Sequence, residues 1–139
     1  MNNKKSYGID EIKIGMSASL SKIITDKNVK EFADLSGDNN PVHIDEDYAK
    51  RSRYKKRIAH GLLSSSLFSA LFGTRIPGEG CVYVSQKLNF KRPVYIGDTV
   101  IAEITVTDIN LASKRVFFDT TCTVNSKKVI DGTAEIFIP

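Results

Sequence analysis

The sequence has no tryptophan, only two cysteines and only four prolines in 139 residues. Cys81 and Cys122 cannot build a multi-bridge framework and do not sit in any CxxC pair, which disfavours structural zinc and thioredoxin-like chemistry. They read as small buried hydrophobes in a reducing compartment. Long apolar runs are also missing. The longest apolar region, around Leu62 to Phe72, is interrupted by serines and falls far short of the ~20 residues that cross a bilayer. No apolar stretch follows Lys4 and Lys5, so the amino terminus does not read as a secretory signal. With no repeat, low-complexity tract or Gly/Ser linker, residues 1–139 read as a single cytoplasmic domain without a membrane partner.

What is present is ordinary for a globular chain. Hydrophobic residues make up 41% and charged residues 26%, enough to expect a buried core. The formal charge of +4 suits a polyanionic small molecule as well as a nucleic acid. The basic residues are not interleaved with aromatics in an RNA- or DNA-binding pattern, so no nucleic-acid partner is expected.

Periodicity predicts a strand over 19–25, entered from a turn at Ile14-Gly15. Thr25 or Asp26 then caps a helix whose Val29, Phe32 and Ala33 share a face, and Gly37 ends it. Asn40 precedes Pro41 and is pushed out of the α region, so residues 38–43 form a structured turn, followed by a short helix from Asp45 to Arg51. From His60 to Gly73 the sequence reads as a helix apolar on nearly every side, which must be covered over most of its circumference. Four β-rich stretches follow at 82–90, 99–109, 115–124 and 128–138, with turn chemistry at Gly97-Asp98 and Ser126-Lys127. The order describes an α+β fold in which an antiparallel five-stranded sheet wraps a central helix. Such a sheet has open edges, and pairing two copies edge to edge closes one of them, so a homodimer or higher homo-oligomer is expected.

Asp38 and His43 are five residues apart. On an α-helix that is a rotation of about 140°, and on a strand they face opposite ways, so only a curled loop brings them together. Asn39-Asn40-Pro41 is a loop former. A converging carboxylate and imidazole can hold one water, which is the minimum apparatus for adding water to a polarised double bond. On spacing alone such a pair is more often a cap and a surface residue.

Other chemistries fit less well. A calcium loop starting at Asp38 fails, with His43 where Gly is needed and Ala49 where Glu is needed, and one further histidine is too few to favour zinc, so no metal is expected. No G-x-S-x-G occurs, and Ser64, Ser65, Ser66 and Ser69 read as softening the packing of the central helix. Gly78-x-Gly80 lacks the third glycine and following helix of a dinucleotide site. The first amides of the helix near His60-Gly61 have no intrahelical partner and can receive a carbonyl oxygen that becomes negative during reaction. Gly61 has no side chain to block that approach.

The run from Phe32 to Ala49, with Gly37-Asp38-Asn39-Asn40-Pro41-Val42-His43 at its centre, resembles the signature of the R-specific (type 2, MaoC-like) enoyl-CoA hydratases. Ile58-Ala-His-Gly-Leu-Leu63 resembles that family's start of the central helix, and the stretch from Phe90 through Pro93-Val94 to Gly97-Asp98 resembles its later strand and turn. The match runs from about Gly15 to Pro139 and implies the hotdog fold, with residues 1–14 as an N-terminal extension. It implies that Asp38 and His43 are the catalytic pair, that Asn40 shapes their loop and lies in the substrate-binding set, that the Gly61 amide polarises the thioester carbonyl, and that Ser69 lines the substrate site. The implied reaction is reversible syn addition of water to a trans-2-enoyl-CoA giving an (R)-3-hydroxyacyl-CoA, with no cofactor beyond the coenzyme A of the substrate. Alternatives on the same scaffold are an acyl-CoA thioesterase and a non-catalytic acyl-thioester-binding protein.

Two further expectations concern substrate binding. The basic run Lys50, Arg51, Arg53, Lys55, Lys56 and Arg57, with Lys91 and Arg92, can attract coenzyme A phosphates, although a solvated charged loop is an equally ordinary reading. Phe68, Leu71, Phe72 and Ile76 can floor an acyl tunnel, bulky Phe72 leaning toward short chains, although core packing is their more ordinary role at this spacing.

Overall fold

The structure, a computed structural model, describes residues 5–139. The first four residues, on which part of the signal-sequence and extension readings rest, lie outside the described residues. The remainder of the extension is tied down. The Tyr7 N–H donates to the Pro77 carbonyl at 2.7 Å, a 3₁₀ turn spans Ile9–Glu11, and Ile12 is buried in the core.

Strand β1 spans Ser17–Ile23, two residues earlier at each end than its periodicity suggests. Thr25 is taken by the next element: its hydroxyl accepts from the Asn28 N–H at 3.1 Å while the Asn28 side chain accepts from the Thr25 N–H at 3.0 Å, a reciprocal cap. That cap starts helix α1, Asp26–Ser36, and Gly37 ends it at φ 81°, a left-handed conformation that costs glycine little. Helix α4 spans Gly61–Thr74 with His60 as its N-cap. Strands β2 (Val82–Phe90), β3 (Thr99–Asn110), β4 (Arg115–Val124) and β5 (Lys127–Phe137) follow. Asn125 and Ser126, both at positive φ, make the tight β4–β5 turn.

All five strands form one antiparallel sheet in the order β1-β3-β4-β5-β2, with α4 packed across it, the arrangement expected from the sequence. On β3, Val100, Ala102, Ile104 and Val106 alternate inward and are fully or almost fully buried. They meet Phe68, Leu71 and Phe72 of α4 together with Phe118 and Ile136 in one core. Phe72 packs edge-on against both Phe118 and Tyr83. Phe68, Leu71, Phe72 and Ile76 are therefore core residues, the more ordinary of the two roles expected for them, and none of them lines the cavity described below. Cys122 is also core, and burial pushes its thiol up to about 12.

Cover of α4 is incomplete. Ser64 and Ser65 are buried, but Leu62 is 59% exposed and Ser66, Ser69, Ala70 and Gly73 follow it on an open stripe, so the chain by itself does not enclose this helix. Among the described residues no helix is long and apolar enough to cross a membrane.

Candidate active site

Between α1 and α4 the chain makes two short helices. Asn40 has φ −52° and ψ 122°, outside the α region as its proline neighbour requires, and caps α2, Pro41–Ile44. The structured turn predicted over 38–43 thus becomes a single helical turn from Pro41 onward. Pro41 occupies its first turn, where a missing N–H costs nothing. Asp45 then caps α3, Glu46–Arg51, accepting from the Tyr48 N–H at 3.1 Å.

This curl brings Asp38 and His43 to one cavity of about 430 Å³, lined also by Phe32, His60, Gly61 and Phe90. The Asp38 Oδ1 atom accepts from the Asn40 N–H at 3.1 Å, which fixes the carboxylate at the start of the curl while leaving it half exposed. His43 is buried and its Nδ1 lies 2.7 Å from the Ile58 carbonyl. A carbonyl only accepts, so Nδ1 carries the proton and Nε2 of the neutral ring keeps a free lone pair. Burial pushes His43 below the usual histidine value, reinforced by the nearby His60 and Arg57 and opposed by the Ile58 carbonyl and Asp38. The imidazole is therefore neutral near pH 7 and available as an acceptor.

Ala59 donates its N–H to the Val94 carbonyl at 2.7 Å, docking the segment before α4 on the Pro93-Val94 turn and aiming the first turn of α4 at the cavity. Gly61 sits under the Phe90 ring so closely that a Cβ there would overlap it.

His60 joins the site, a contribution that sequence reasoning missed. Its ring stacks on His43 at a centroid distance of 3.8 Å, and its Nε2 donates to the Asp38 carbonyl at 3.0 Å. The Phe32 ring is tilted against the His60 ring, with centroids 4.8 Å apart. The one further histidine is thus inside the site, 22 residues from Asp38, and only the Ile58-Ala-His-Gly segment hinted at it.

Asp38, His43 and His60 offer ligand atoms within 4.8 Å of one another, the only such group of three among the described residues. A zinc ion sits ~2.0–2.1 Å from an imidazole nitrogen and in the ring plane. Between two rings stacked at 3.8 Å and inclined by 29°, one ion would lie far out of at least one plane. The donor set suits hydrogen bonding to a small polar molecule better than a metal.

The other expected site residues separate. Asn40 shapes the loop but does not line the cavity, and Ser69 is exposed on the open stripe of α4, away from the cavity walls. Of the basic residues, Arg53, Lys91 and Arg92 line the cavity, while Lys50, Arg51, Lys55 and Lys56 are exposed outside it. Arg57 is a correction: it is buried and pairs with Asp26 at 2.8 Å and Glu46 at 3.3 Å, so it does not meet an incoming phosphate.

Residues 10–132 match the family described as the MaoC like domain. An (R)-specific enoyl-CoA hydratase of Rhodospirillum rubrum is 52% identical over 130 residues, covering 94% of this chain and 90% of that protein. A 3-hydroxybutyryl-CoA dehydratase of Methylorubrum extorquens is 41% identical over 130 residues, covering 94% and 83%. Among solved structures, an (R)-hydratase from A. caviae involved in PHA biosynthesis superposes with a TM-score of 0.90 at 36% identity, covering 92% of this chain and 98% of that one.

Proposed function

We propose that this chain, which belongs to the MaoC-like domain family, is an R-specific enoyl-CoA hydratase with the hotdog fold, a hydro-lyase acting on acyl-thioesters. One observation carries the reading: the Asp38 and His43 side chains and the first turn of α4 open onto the same cavity.

The thioester carbonyl of a trans-2-enoyl substrate accepts a hydrogen bond from the Gly61 amide, at the positive end of the α4 dipole. Electron density drawn to that oxygen leaves C3 electrophilic. One water lies between Asp38 and the free His43 Nε2. As its oxygen bonds to C3 it gives up a proton to this pair, and the pair delivers a proton to C2 from the same side. The net change is addition of water across the double bond, and the reverse is dehydration. Arg53, Lys91 and Arg92 at the cavity suit the phosphates of coenzyme A, and no separate cofactor is needed. In this reading Asn40 acts by shaping the catalytic loop. Free Cys81 and Cys122 are consistent with a reducing, cytoplasmic setting.

Crotonyl-CoA tests the reading. Loss of the enoyl absorbance without thiol release, giving the R product, is the expected result. Thiol release would instead make the protein a thioesterase, and binding with neither change would make it a carrier or sensor.

The same reading includes a homodimer. Edge strand β2 exposes Val82, Tyr83 and Val84 in a row, at 46%, 38% and 42%, where an edge left in water would carry charge. Pairing there covers the row, and a second copy can also cover the open stripe of α4, which would give Ser69 its place at a substrate site. Light scattering should give about twice the 15.4 kDa chain mass, and a monomer at micromolar concentration would refute it.

A further inference from the structure

We infer that Arg57 is a positioning residue for the proposed hydration: held beneath the catalytic loop, it grips the His43 main chain and so sets where the imidazole stands relative to Asp38. The inference rests on the function proposed above, and it comes from how completely this cation is built in. Its residue is 7% exposed, two of its three nitrogens are hydrogen-bonded, and the third, Nη2, is ion-paired without hydrogen-bond geometry. Nε donates to the His43 carbonyl at 2.6 Å, Nη1 lies 3.3 Å from Glu46 Oε1, and Nη2 lies 2.8 Å from Asp26 Oδ1.

Those partners are not scattered. Asp26 is the first residue of α1 and Glu46 the first residue of α3, so the fork ties together the starts of helices on either side of the catalytic loop. The neighbouring residue completes the grip. The Ile58 carbonyl accepts from His43 Nδ1 at 2.7 Å, and the Ile58 N–H donates to the Val42 carbonyl at 3.2 Å. Two consecutive residues therefore hold Val42 and His43 at both carbonyls and at the ring.

A buried cation is disfavoured unless it is paired and hydrogen-bonded, so a guanidinium held here by two hydrogen bonds and two carboxylates favours one arrangement of the loop over its alternatives. Only the planar fork of arginine presents donors in three fixed directions. A lysine keeps the charge but cannot reproduce the geometry.

The charge has a second effect. The charged and titratable groups facing His43 are Asp38 from its own loop, His60 at the N-cap of α4, and Arg57. Arg57 and His60 both disfavour a proton on His43, in the same direction as burial, whereas Asp38 favours one. Removing the Arg57 charge therefore raises the His43 pKa, and the pH at which activity is lost on acidification moves upward.

Arg57→Gln and Arg57→Lys in the full chain test this by crotonyl-CoA kinetics and by NMR titration of the His43 ring. In Arg57→Gln, kcat is expected to fall roughly tenfold to 10²-fold, the size of effect that misplacing a catalytic group produces, with KM little changed. Its His43 titration and the acid limb of its rate profile should both move to higher pH. Arg57→Lys should lose part of kcat while keeping the parental acid limb. A folded Arg57→Gln with parental kcat and parental His43 titration overturns the inference, as does a loss confined to KM. If the Gln variant does not fold, a folded Arg57→Lys with parental kcat overturns it equally. The titration separates the two readings. A parent protein inactive on enoyl thioesters whose His43 still responds to Arg57 removes the function and leaves the positioning role, whereas an active parent indifferent to both variants removes only the positioning role.

Discussion

Asp38→Ala and His43→Ala are each expected to lower crotonyl-CoA hydration by ~10²–10⁴-fold, the usual cost of removing an acid–base group. That range corresponds to about 2.7–5.4 kcal/mol of transition-state stabilisation. Asp38→Asn is the sharper variant. The amide oxygen can still accept from the Asn40 N–H, which the carboxylate does at 3.1 Å, so the loop keeps its local bond while the acid–base function is lost. His43→Ala removes the free Nε2 and leaves the Ile58 carbonyl without its ring donor. Because both groups act on a single water, their losses should not add: the double variant should be little slower than the worse single one. Steady-state rates on protein of verified fold decide the matter. Folded single variants that hydrate crotonyl-CoA at the parental rate would sink the proposed mechanism, and strictly multiplicative losses would show that the two residues do not share one water.

Gly61→Val should be nearly as damaging, by a different route. A Cβ at this position overlaps the Phe90 ring, and a branched side chain crowds the space before the first amide of α4. Phe90 is 54% exposed, so its ring can swing aside and the fold should survive. What is lost is access of the thioester oxygen to the amide, and loss of one such donor typically costs ~10²–10³ in kcat. Gly61→Ala should be milder, and pairing it with Phe90→Ala, which removes the ring it collides with, should recover part of the loss. If folded Gly61→Val kept the parental kcat/KM, the carbonyl would have to bind elsewhere. If Phe90→Ala gave no relief, the defect would lie at the amide alone.

Legibility differed between elements for identifiable reasons. Strands β2 and β4 follow the sequence reading to the residue, each being a β-rich run bounded by turn residues. Strand β1 was displaced by two because Thr25, a good strand residue, is also a good cap, and the reciprocal bonds with Asn28 claim it for α1. That Asp38 and His43 can converge is legible because proline and asparagine constrain that loop locally, whereas their role as a pair comes from the resemblance to the hydratase signature. His60 and Arg57 were not visible. One reads as a helix start and the other as one more member of a basic run, and nothing in their immediate neighbours distinguishes them. Ser69 was placed by resemblance, and within one chain it faces outward.

The sequence by itself determined the features that act over a few residues: the alternation of β3, the cap at Thr25, the glycine that ends α1, and the bend at Asn40-Pro41 that lets a carboxylate and an imidazole five residues apart converge. Tertiary structure alone decided which cations face the cavity, which histidine stacks on His43, and which stripe of α4 stays uncovered. Local propensities arise from dihedral preferences and hydrogen bonds within about one helical turn. The burial of Arg57 depends on carboxylates that the chain supplies 31 residues away at Asp26 and 11 residues away at Glu46. Desolvation and charge pairing are properties of the assembled fold, and no short stretch of sequence contains them.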